Sequence, residues 1–405
     1  MLIARFRRFA AVPLLLVFAV ALPACDSAAE PPPSTDTIFV GVNFTRLFAP
    51  ATDVEVQAVR ADWAARTPTA SGIQVTGPAP APDGSMLYVV SHEITTGPGA
   101  SGRHYGFVRI PAGAVNAPVL VVHHGGDSGV YAAAPDANAG VLAMAQAFPT
   151  LFSQTVQVFP TYRAELLGTQ GFEAAFGPPV SSGGTPSPWD YDVDDAMALL
   201  SAVLARDEFS AATNDARIGA LGFSRGANTA LLQSARDPRI RAVTQYYAPS
   251  DFFSAGIQTL ALGVLGGDPR ARSFPGATYL YESVLQPLQG PNGTYNASAD
   301  YARARLGVVR RSATLFTTSL RNVQVHHHQA DPVVPYAVSA SFDAAARARP
   351  VQGAYEFNTY TDALPAGATY SQHNPLAMPA SLAATERWLG QYVVSGPAAR
   401  LVAAN

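Results

Sequence analysis

The residues Gly222-Phe223-Ser224-Arg225-Gly226 lie between a short apolar run, residues 218–221, and a helix-compatible segment, residues 227–235. A G-x-S-x-G pattern between a strand and a helix is typical of a nucleophile elbow, a tight turn that presents a serine hydroxyl at the end of a strand. The turn is expected to strain the backbone of Ser224, and side chains at Gly222 or Gly226 would collide with a neighbouring strand or helix. The start of the helix favours negative charge beside the serine. The sequence therefore predicts a nucleophilic serine at position 224.

A serine hydroxyl needs a base within hydrogen-bond reach and a carboxylate that orients this base. In doubly wound hydrolases the acid and then the histidine follow the serine along the chain. Of the eight histidines, only His373 lies beyond residue 328, and it is placed between the last predicted strand and the last predicted helix. Asp331 directly follows a predicted strand, residues 323–327, whereas Asp300 and Asp362 are alternatives without this placement. We therefore expect Ser224, Asp331 and His373 to form a catalytic triad.

The negative charge of a tetrahedral intermediate requires fixed hydrogen-bond donors. One expected donor is the backbone N–H of Arg225, directly after the serine. The other is expected from Gly125 and Gly126, in a His-Gly-Gly-Asp turn that follows the predicted strand at residues 119–123. Tyr162 and Arg163 follow another predicted strand and are candidates for binding an acyl or carboxylate group. Arg163 is equally compatible with a structural ion pair that braces its loop.

From residue 118 onward, short β-branched runs alternate with helical segments, which is typical of an α/β fold with a mostly parallel central sheet and helices on both faces. Strands are predicted at residues 119–123, 156–159, 218–221, 242–246, 323–327 and 355–360, and helices at 141–148, 191–206, 227–235, 337–347 and 381–394. Residues 38–112 are predicted to be a β-rich extension that packs on the main sheet, with strands at 38–44, 86–94 and 105–110 and a helix at 53–66. The catalytic domain is then residues 113–395, with a cap insertion at about 250–320.

Composition excludes several functions for this chain of 405 residues. All 26 basic residues are arginine, so chemistry that depends on a lysine, such as a pyridoxal Schiff base or a Ser-Lys dyad, is excluded. A net charge of −3 without a basic stripe gives no indication of nucleic-acid binding. The single cysteine excludes an intramolecular disulfide and a multi-cysteine zinc site.

Two clusters of side chains invite a metal hypothesis, but we predict neither a metal nor another cofactor. The first cluster is Asp190, Asp192, Asp194 and Asp195, which lie at the start of a predicted helix, where N-terminal capping explains them better. The second is the histidine run at residues 326–328, whose neighbours point to opposite faces of a strand, so at most two could share an ion.

Residues 1–25 have the pattern of a signal peptide, with three arginines followed by an apolar segment at residues 9–22 that is too short for a membrane span. The sequence Leu22-Pro23-Ala24-Cys25 is similar to a bacterial lipobox, in which the cysteine is lipidated. Residues 26–37, rich in Pro, Ser and Ala, are predicted to be a disordered tether. We therefore expect an exported protein of the bacterial cell envelope, either periplasmic or on the surface, that is lipid-anchored at Cys25. Plain secretion is the alternative.

Five motifs together resemble the catalytic domain of the prolyl oligopeptidase family and its dienelactone hydrolase and acetyl xylan esterase relatives. They are His124-Gly125-Gly126, Pro160-Thr161-Tyr162-Arg163, Gly222-Phe223-Ser224-Arg225-Gly226, Ala248-Pro249-Ser250-Asp251 and His327-x3-Asp331-x2-Val334-Pro335. The resemblance covers about residues 105 to 395 and implies an α/β-hydrolase fold, the Ser224-Asp331-His373 triad and no cofactor. The sequence departs from the family at His328, where glycine is usual, and in lacking a β-propeller.

The expected function is an exported serine hydrolase that cleaves a small-molecule ester or a short peptide through an acyl-enzyme, with a slight preference for esters. The alternatives are a non-catalytic binding lipoprotein on the same scaffold and an acyltransferase that uses the same triad.

Overall fold

The computed structural model describes residues 36–97, 102–134, 136, 138–274 and 276–396. The predicted signal peptide with Cys25, and all of the predicted tether before residue 36, lie outside the described residues. The strands and helices of the described residues all lie within residues 37–396.

One large sheet in this part of the chain contains nine strands, numbered here along the chain. They are β1 Ala70–Pro80, β2 Met86–Ile94, β3 Arg103–Ile110, β4 Ala117–His123, β5 Val156–Pro160, β6 Thr213–Phe223, β7 Ile240–Tyr246, β8 Arg321–His328 and β9 Gln352–Tyr360. Their order across the sheet is β9-β8-β7-β6-β4-β5-β3-β2-β1. All pairs from β9 to β5 are parallel, whereas β1, β2 and β3 continue the sheet with antiparallel pairing.

The central strands form because their apolar side chains are buried on both faces of the sheet. In β4, Val119 and Val121 join one hydrophobic cluster, and Leu120 and Val122 join the cluster on the opposite face. A continuous apolar run of this kind is expected for a parallel strand covered by helices on both sides. Residues of different helices belong to the two clusters, so helices cover both faces as predicted, and the fold class is confirmed.

The longer helices of the described residues are α1 Asp53–Ala65, α2 Tyr191–Leu204, α3 Arg225–Arg236, α4 Ala255–Gly266, α5 Ala302–Arg311, α6 Tyr336–Ala348 and α7 Pro379–Leu389. Short α-helices lie at Phe44–Leu47, Val141–Ala147, Pro149–Gln154, Glu173–Phe176, Asp207–Ser210, Pro269–Arg272 and Ala277–Tyr279. Helical turns of other types lie at Leu280–Leu285, Gln286–Leu288, Ala313–Ser319, Pro375–Ala377 and Gly390–Val394. None of the helices in the described ranges has the length and apolarity that a membrane span requires.

The N-terminal region differs from the prediction in its strand pairing. The predicted strand at residues 38–44 is a short hairpin, Ile38–Phe39 with Val42–Asn43, because the chain turns at Gly41, where φ is 81°. Strand β1 was not predicted. The three strands β1 to β3 are hydrogen-bonded to the edge of the main sheet through the β3–β5 pair, so they extend that sheet and do not form a separate layer on it.

The segment between β7 and β8 corresponds to the predicted insertion and consists of helices joined by irregular loops, the longest of them at residues 289–301. It contains α4, α5 and the short helices at Pro269–Arg272 and Ala277–Tyr279. A further small sheet, Gly129–Tyr131 with Leu166–Gly168 and Val180–Ser181, lies outside the main sheet.

Candidate active site

Ser224 occupies a strained turn between β6 and α3. Its φ and ψ are 52° and −121°, a conformation that few non-glycine residues adopt. A Cβ at Gly222 would lie 2.7 Å from Cα of Ala227, and one at Gly226 would lie 2.6 Å from the carbonyl carbon of His123. Both glycines are therefore required by close packing, on the helix side for Gly222 and on the strand side for Gly226.

The side chains of Ser224, His373 and Asp331 form one hydrogen-bonded line. The Ser224 Oγ lies 2.8 Å from His373 Nε2, and His373 Nδ1 lies 2.8 Å from Asp331 Oδ2. A carboxylate only accepts, so Nδ1 carries the proton and Nε2 is left to accept the serine proton. The structure thus brings together all three residues of the predicted triad.

Asp331 is held by its own loop. Its side chain has no solvent exposure, and Oδ1 accepts the backbone N–H groups of Val333 at 2.8 Å and Val334 at 3.0 Å. The alternatives lie elsewhere: Asp300 accepts the N–H of Ala302, and the carbonyl of Asp362 contacts His328. Asp331 is therefore the carboxylate that orients His373.

Tyr247, which the sequence analysis did not identify, connects His373 to Asn138, whose carbonyl accepts the N–H of Gly125. Its ring packs on His373 with a centroid distance of 4.2 Å, and its hydroxyl donates to Asn138 Oδ1 at 2.7 Å. The only sequence signal was its position one residue after β7, at the strand edge where Ser224 and Asp331 also lie.

The three predicted oxyanion donors all line the cavity that contains Ser224. The N–H of Gly125, however, donates to the carbonyl of Asn138 at 2.8 Å. The N–H of Gly125 is therefore engaged within the fold and does not point to an oxyanion, which corrects its predicted role as an oxyanion donor. Within the described residues the N–H of Gly126 has no such acceptor, and it remains a candidate together with the N–H of Arg225.

The Arg225 side chain turns away from the cavity into a buried cluster of charges. It pairs with the carboxylates of Glu165 and Asp192, and it donates to the carbonyl of Gly126 at 3.1 Å. Burial lowers the pKa of Arg225, but Asp192 and Glu165 raise it by more, so the guanidinium stays charged. His124 Nε2 is 3.3 Å from Glu165 Oε2, and burial lowers the pKa of this histidine to about 4. The guanidinium therefore fixes the Gly126 peptide beside the nucleophile.

Tyr162 and Arg163 do not line the Ser224 cavity, so their predicted role in substrate binding is wrong in this structure. Both are fully buried. The Tyr162 hydroxyl contacts His123 Nδ1 at 2.9 Å, and Arg163 forms a two-pronged ion pair with Asp195 at 2.9 to 3.1 Å. This geometry matches the alternative prediction for Arg163, a structural ion pair.

The four aspartates at the start of α2 are buried ion-pair partners, which corrects the prediction that they are N-terminal caps. No side-chain capping hydrogen bond is present at Asp190. The arginine partners come from distant parts of the chain: Arg66 and Arg310 for Asp190, Arg225 for Asp192, Arg236 for Asp194 and Arg163 for Asp195. Among the described residues, no group of three or more His, Cys, Asp or Glu side chains is arranged to hold a metal ion.

The histidine run is engaged in hydrogen bonds within the fold. His326 contacts the hydroxyl of Tyr360 at 2.8 Å, His327 contacts Ser339 Oγ at 2.6 Å, and His328 contacts the carbonyl of Asp362 at 2.9 Å. Burial lowers the pKa of His326 to about 3 and that of His327 to about 4, so both are neutral near pH 7.

The cavity at Ser224 has a volume of about 310 Å³ and a mainly apolar lining. Its apolar residues include Trp189, Phe252, Ile257, Leu260, Phe274 and Leu280. Five of these six belong to the segment between β7 and β8. The segment therefore forms one wall of the candidate site.

Four features together define the architecture of this site. The parallel strands have the order β5-β4-β6-β7-β8-β9, the serine lies in an elbow after β6, the acid follows β8, and the histidine follows β9. The chain has the α/β-hydrolase fold. No protein-family model matches the sequence, and no curated protein matches it either.

Solved structures with the same α/β-hydrolase fold include two esterases and a peptidase. Acetyl xylan esterase 1 from Thermoanaerobacterium sp. JW/SL YS485 is 16% identical over 84% of this chain and 98% of its own, with a TM-score of 0.49. An acetyl xylan esterase from Paenibacillus sp. R4 is 15% identical over 86% and 99%, with a TM-score of 0.48. The acylaminoacyl peptidase of Pyrococcus horikoshii is 11% identical over 77% of this chain, with a TM-score of 0.48, and the match spans 48% of that peptidase.

Proposed function

We propose that the chain is a serine hydrolase that cleaves carboxylic esters through a covalent acyl-enzyme. The observation that carries the proposal is the Ser224-His373-Asp331 line, with both contacts at 2.8 Å and the serine held in a strained elbow. A pseudoenzyme or binding protein has no need to keep this strained arrangement beside an open cavity.

In the proposed reaction, His373 Nε2 takes the Ser224 proton while Oγ attacks the carbonyl carbon of the ester. Asp331 holds the imidazole orientation and stabilises the imidazolium that forms. The N–H groups of Arg225 and Gly126 donate to the oxyanion. His373 then gives its proton to the leaving alcohol, and a water activated by the same imidazole releases the acid and restores Ser224.

An ester is favoured over a peptide by the nature of the cavity wall. The guanidinium of Arg225, which belongs to a residue of that wall, is engaged by Glu165 and Asp192, so it is not available to bind a peptide carboxylate. The remaining wall is largely apolar and offers few partners for a peptide backbone. An ester also has the better leaving group and needs less positioning.

Labelling with a fluorophosphonate probe tests the nucleophile, with Ser224→Ala as the variant and Ser234→Ala, a buried serine on α3, as the matched control. We expect wild type and Ser234→Ala to label and Ser224→Ala to remain unlabelled. Equal labelling of Ser224→Ala would contradict the proposal. A folded wild type that does not label would favour the non-catalytic binding protein.

The same preparation is then given an acetyl nitrophenyl ester and a proline nitroanilide. We expect the ester to be cleaved with a far higher kcat/KM than the anilide. The reverse ratio would favour a peptidase, and acceleration by an added alcohol with formation of a new ester would favour an acyltransferase.

We further propose that the protein is exported and anchored by a lipid on Cys25. The support is the sequence of residues 1–25, with its arginines, apolar segment and Leu-Pro-Ala-Cys ending. Expression in a bacterial host and separation of membranes from soluble periplasm test it: wild type should remain with the membranes and Cys25→Ser should not. If both distribute alike, the anchor is refuted and plain secretion is favoured.

A further inference from the structure

We propose that the site accepts an ester with an extended hydrocarbon chain, which lies along an apolar groove between α4 and the loop that carries Asp331. This inference rests on the proposed function and specifies its substrate class. The groove, lined by residues 249, 256–263, 268–274 and 333–338 in part, is called here the α4 groove.

The α4 groove adjoins the Ser224 cavity directly. It has a volume of about 680 Å³, compared with about 310 Å³ for the cavity. The two share six lining residues, all of them apolar: Pro249, Ile257, Leu260, Phe274, Val333 and Val334. A chain attached at the reacting carbonyl can therefore pass from Ser224 into the groove along apolar surface.

Helix α4 has an unusual composition for a helix at a surface. Its sequence is Ala-Gly-Ile-Gln-Thr-Leu-Ala-Leu-Gly-Val-Leu-Gly, with no charged residue. Ile257 and Leu260, which line the groove, recur at helical spacing, and Leu262, which also lines it, is 36% exposed. An apolar helix that the protein leaves partly uncovered beside a reactive serine indicates an apolar ligand.

The charged residues of the groove lining, Asp268 and Arg270, are not among those shared with the Ser224 cavity. Asp268 and Arg270 are both exposed, and Asp268 Oδ1 accepts the backbone N–H of Arg270 at 2.9 Å in an N-terminal cap. The other described residues of the lining carry no charge. A polyhydroxylated sugar would find few hydrogen-bond partners here, whereas a hydrocarbon chain would lose its contact with water without leaving polar groups unpaired.

Two ester series test the proposal and distinguish the side of the ester that enters the groove. In the first, the acyl group is lengthened from acetyl to butyryl, hexanoyl and octanoyl with a constant nitrophenyl leaving group. In the second, acetate is kept and the alcohol is lengthened from ethyl to octyl. We expect kcat/KM to rise by about threefold per added methylene in one of the two series, since each buried methylene contributes a factor of this order.

Leu262→Asp places a charge in the groove at an exposed position, and Val115→Asp, at a residue that is 77% exposed and outside the groove, is the matched control. We expect the octanoyl-to-acetyl or octyl-to-ethyl ratio of kcat/KM to fall by about tenfold in Leu262→Asp, because the chain then meets an ion that must be desolvated. The ratio should be unchanged in Val115→Asp. If Leu262→Asp does not fold, Leu260→Ala is the substitute, because it removes an apolar side chain that lines both the cavity and the groove. It should lower the same long-chain to short-chain ratio of kcat/KM.

Failure of this inference and failure of the proposed function give different results. If Ser224 labels and the acetyl ester is cleaved, but both series are flat, the groove does not bind the substrate and only this inference is overturned. It is also overturned if Leu262→Asp and Val115→Asp have the same ratio. If wild type neither labels nor cleaves the acetyl ester, the proposed function itself fails.

Discussion

Replacement of Arg225 by methionine is expected to destabilise the fold by about 3–5 kcal/mol at neutral pH, the usual cost of breaking a buried ion pair on one side. Arg225 is 3% exposed and contacts the carboxylates of Glu165 and Asp192 together. Methionine fills a similar volume but leaves two carboxylates without a counter-charge. The loss arises from those uncompensated charges rather than from a cavity.

The pH dependence of this loss has a definite sign. Burial raises the pKa of Glu165 and of Asp192, and Arg225 opposes this increase. Without the guanidinium both pKa values rise further above their unfolded values of 4.5 and 3.8. At these two carboxyl groups the folded variant then binds more protons than the unfolded chain and more than folded wild type, so their contribution to its stability rises, relative to wild type, as pH falls from neutral toward those values. The difference between Arg225→Met and wild type should therefore shrink in mild acid.

Urea unfolding followed by far-UV circular dichroism, at neutral and mildly acidic pH, measures both effects. The triple variant Arg225→Met/Glu165→Gln/Asp192→Asn should recover much of the loss, since it removes the unpaired charges. Arg206→Met is the control, because the Arg206–Glu208 pair lies at the surface and should contribute little. The reasoning is refuted if Arg225→Met is as stable as wild type at neutral pH, or if its deficit does not shrink in acid.

Three other perturbations follow from the geometry. Asp331→Asn should lower kcat for the acetyl ester by roughly 10⁴-fold with little change in KM, because the amide favours the wrong tautomer of His373; a fall of less than tenfold would contradict this role. Gly226→Ala should destabilise the fold by about 1–3 kcal/mol in urea unfolding, because its Cβ would meet the carbonyl of His123, whereas Gly390→Ala, with open space around its Cβ, should not. The fold lowers the pKa of six buried histidines to about 3 or 4, so below pH 6.5 the unfolded chain binds more protons at these histidines than the folded protein. Each of them should therefore lower the free energy of unfolding by up to about 1.4 kcal/mol per pH unit. A urea unfolding midpoint that is constant over this range would refute the prediction. These histidines are His92, His104, His123, His124, His326 and His327.

The fold and the Ser224-Asp331-His373 triad could be predicted from the sequence because both depend on local sequence patterns and on the order of residues along the chain. Each of the strands β4 to β9 contains apolar or β-branched residues between turn signals, and each ends within a few residues of its predicted end. The order of serine, acid and histidine along the chain then leaves His373 as the one available base. Close packing at Gly222 and Gly226 explains why glycine occupies these two positions.

The errors concern side chains whose partners are far away along the chain. Arg163 lies at the end of a strand, as predicted, but its direction is set by Asp195 on α2. The acidic cluster at the start of α2 has the sequence pattern of helix caps, but its partners are arginines from other elements. The turn motif predicts Gly125 as an oxyanion donor, but its N–H donates to the carbonyl of Asn138. Periodicity and local motifs contain no information on such pairings.

The loop after β8 connects the chemistry to the proposed binding surface. Val333 and Val334 donate their N–H groups to Asp331, and the same two residues line both the Ser224 cavity and the α4 groove. A substitution that moves this loop to fit a new ligand would also move the carboxylate that orients His373. No hydrogen bond of the described residues joins the side chains of α4 to the triad, so we expect substitutions on α4 to disturb the acid less than substitutions in its own loop. Because of this difference, we expect substrate preference to be determined mainly by the insertion, while the loop with Asp331 remains fixed.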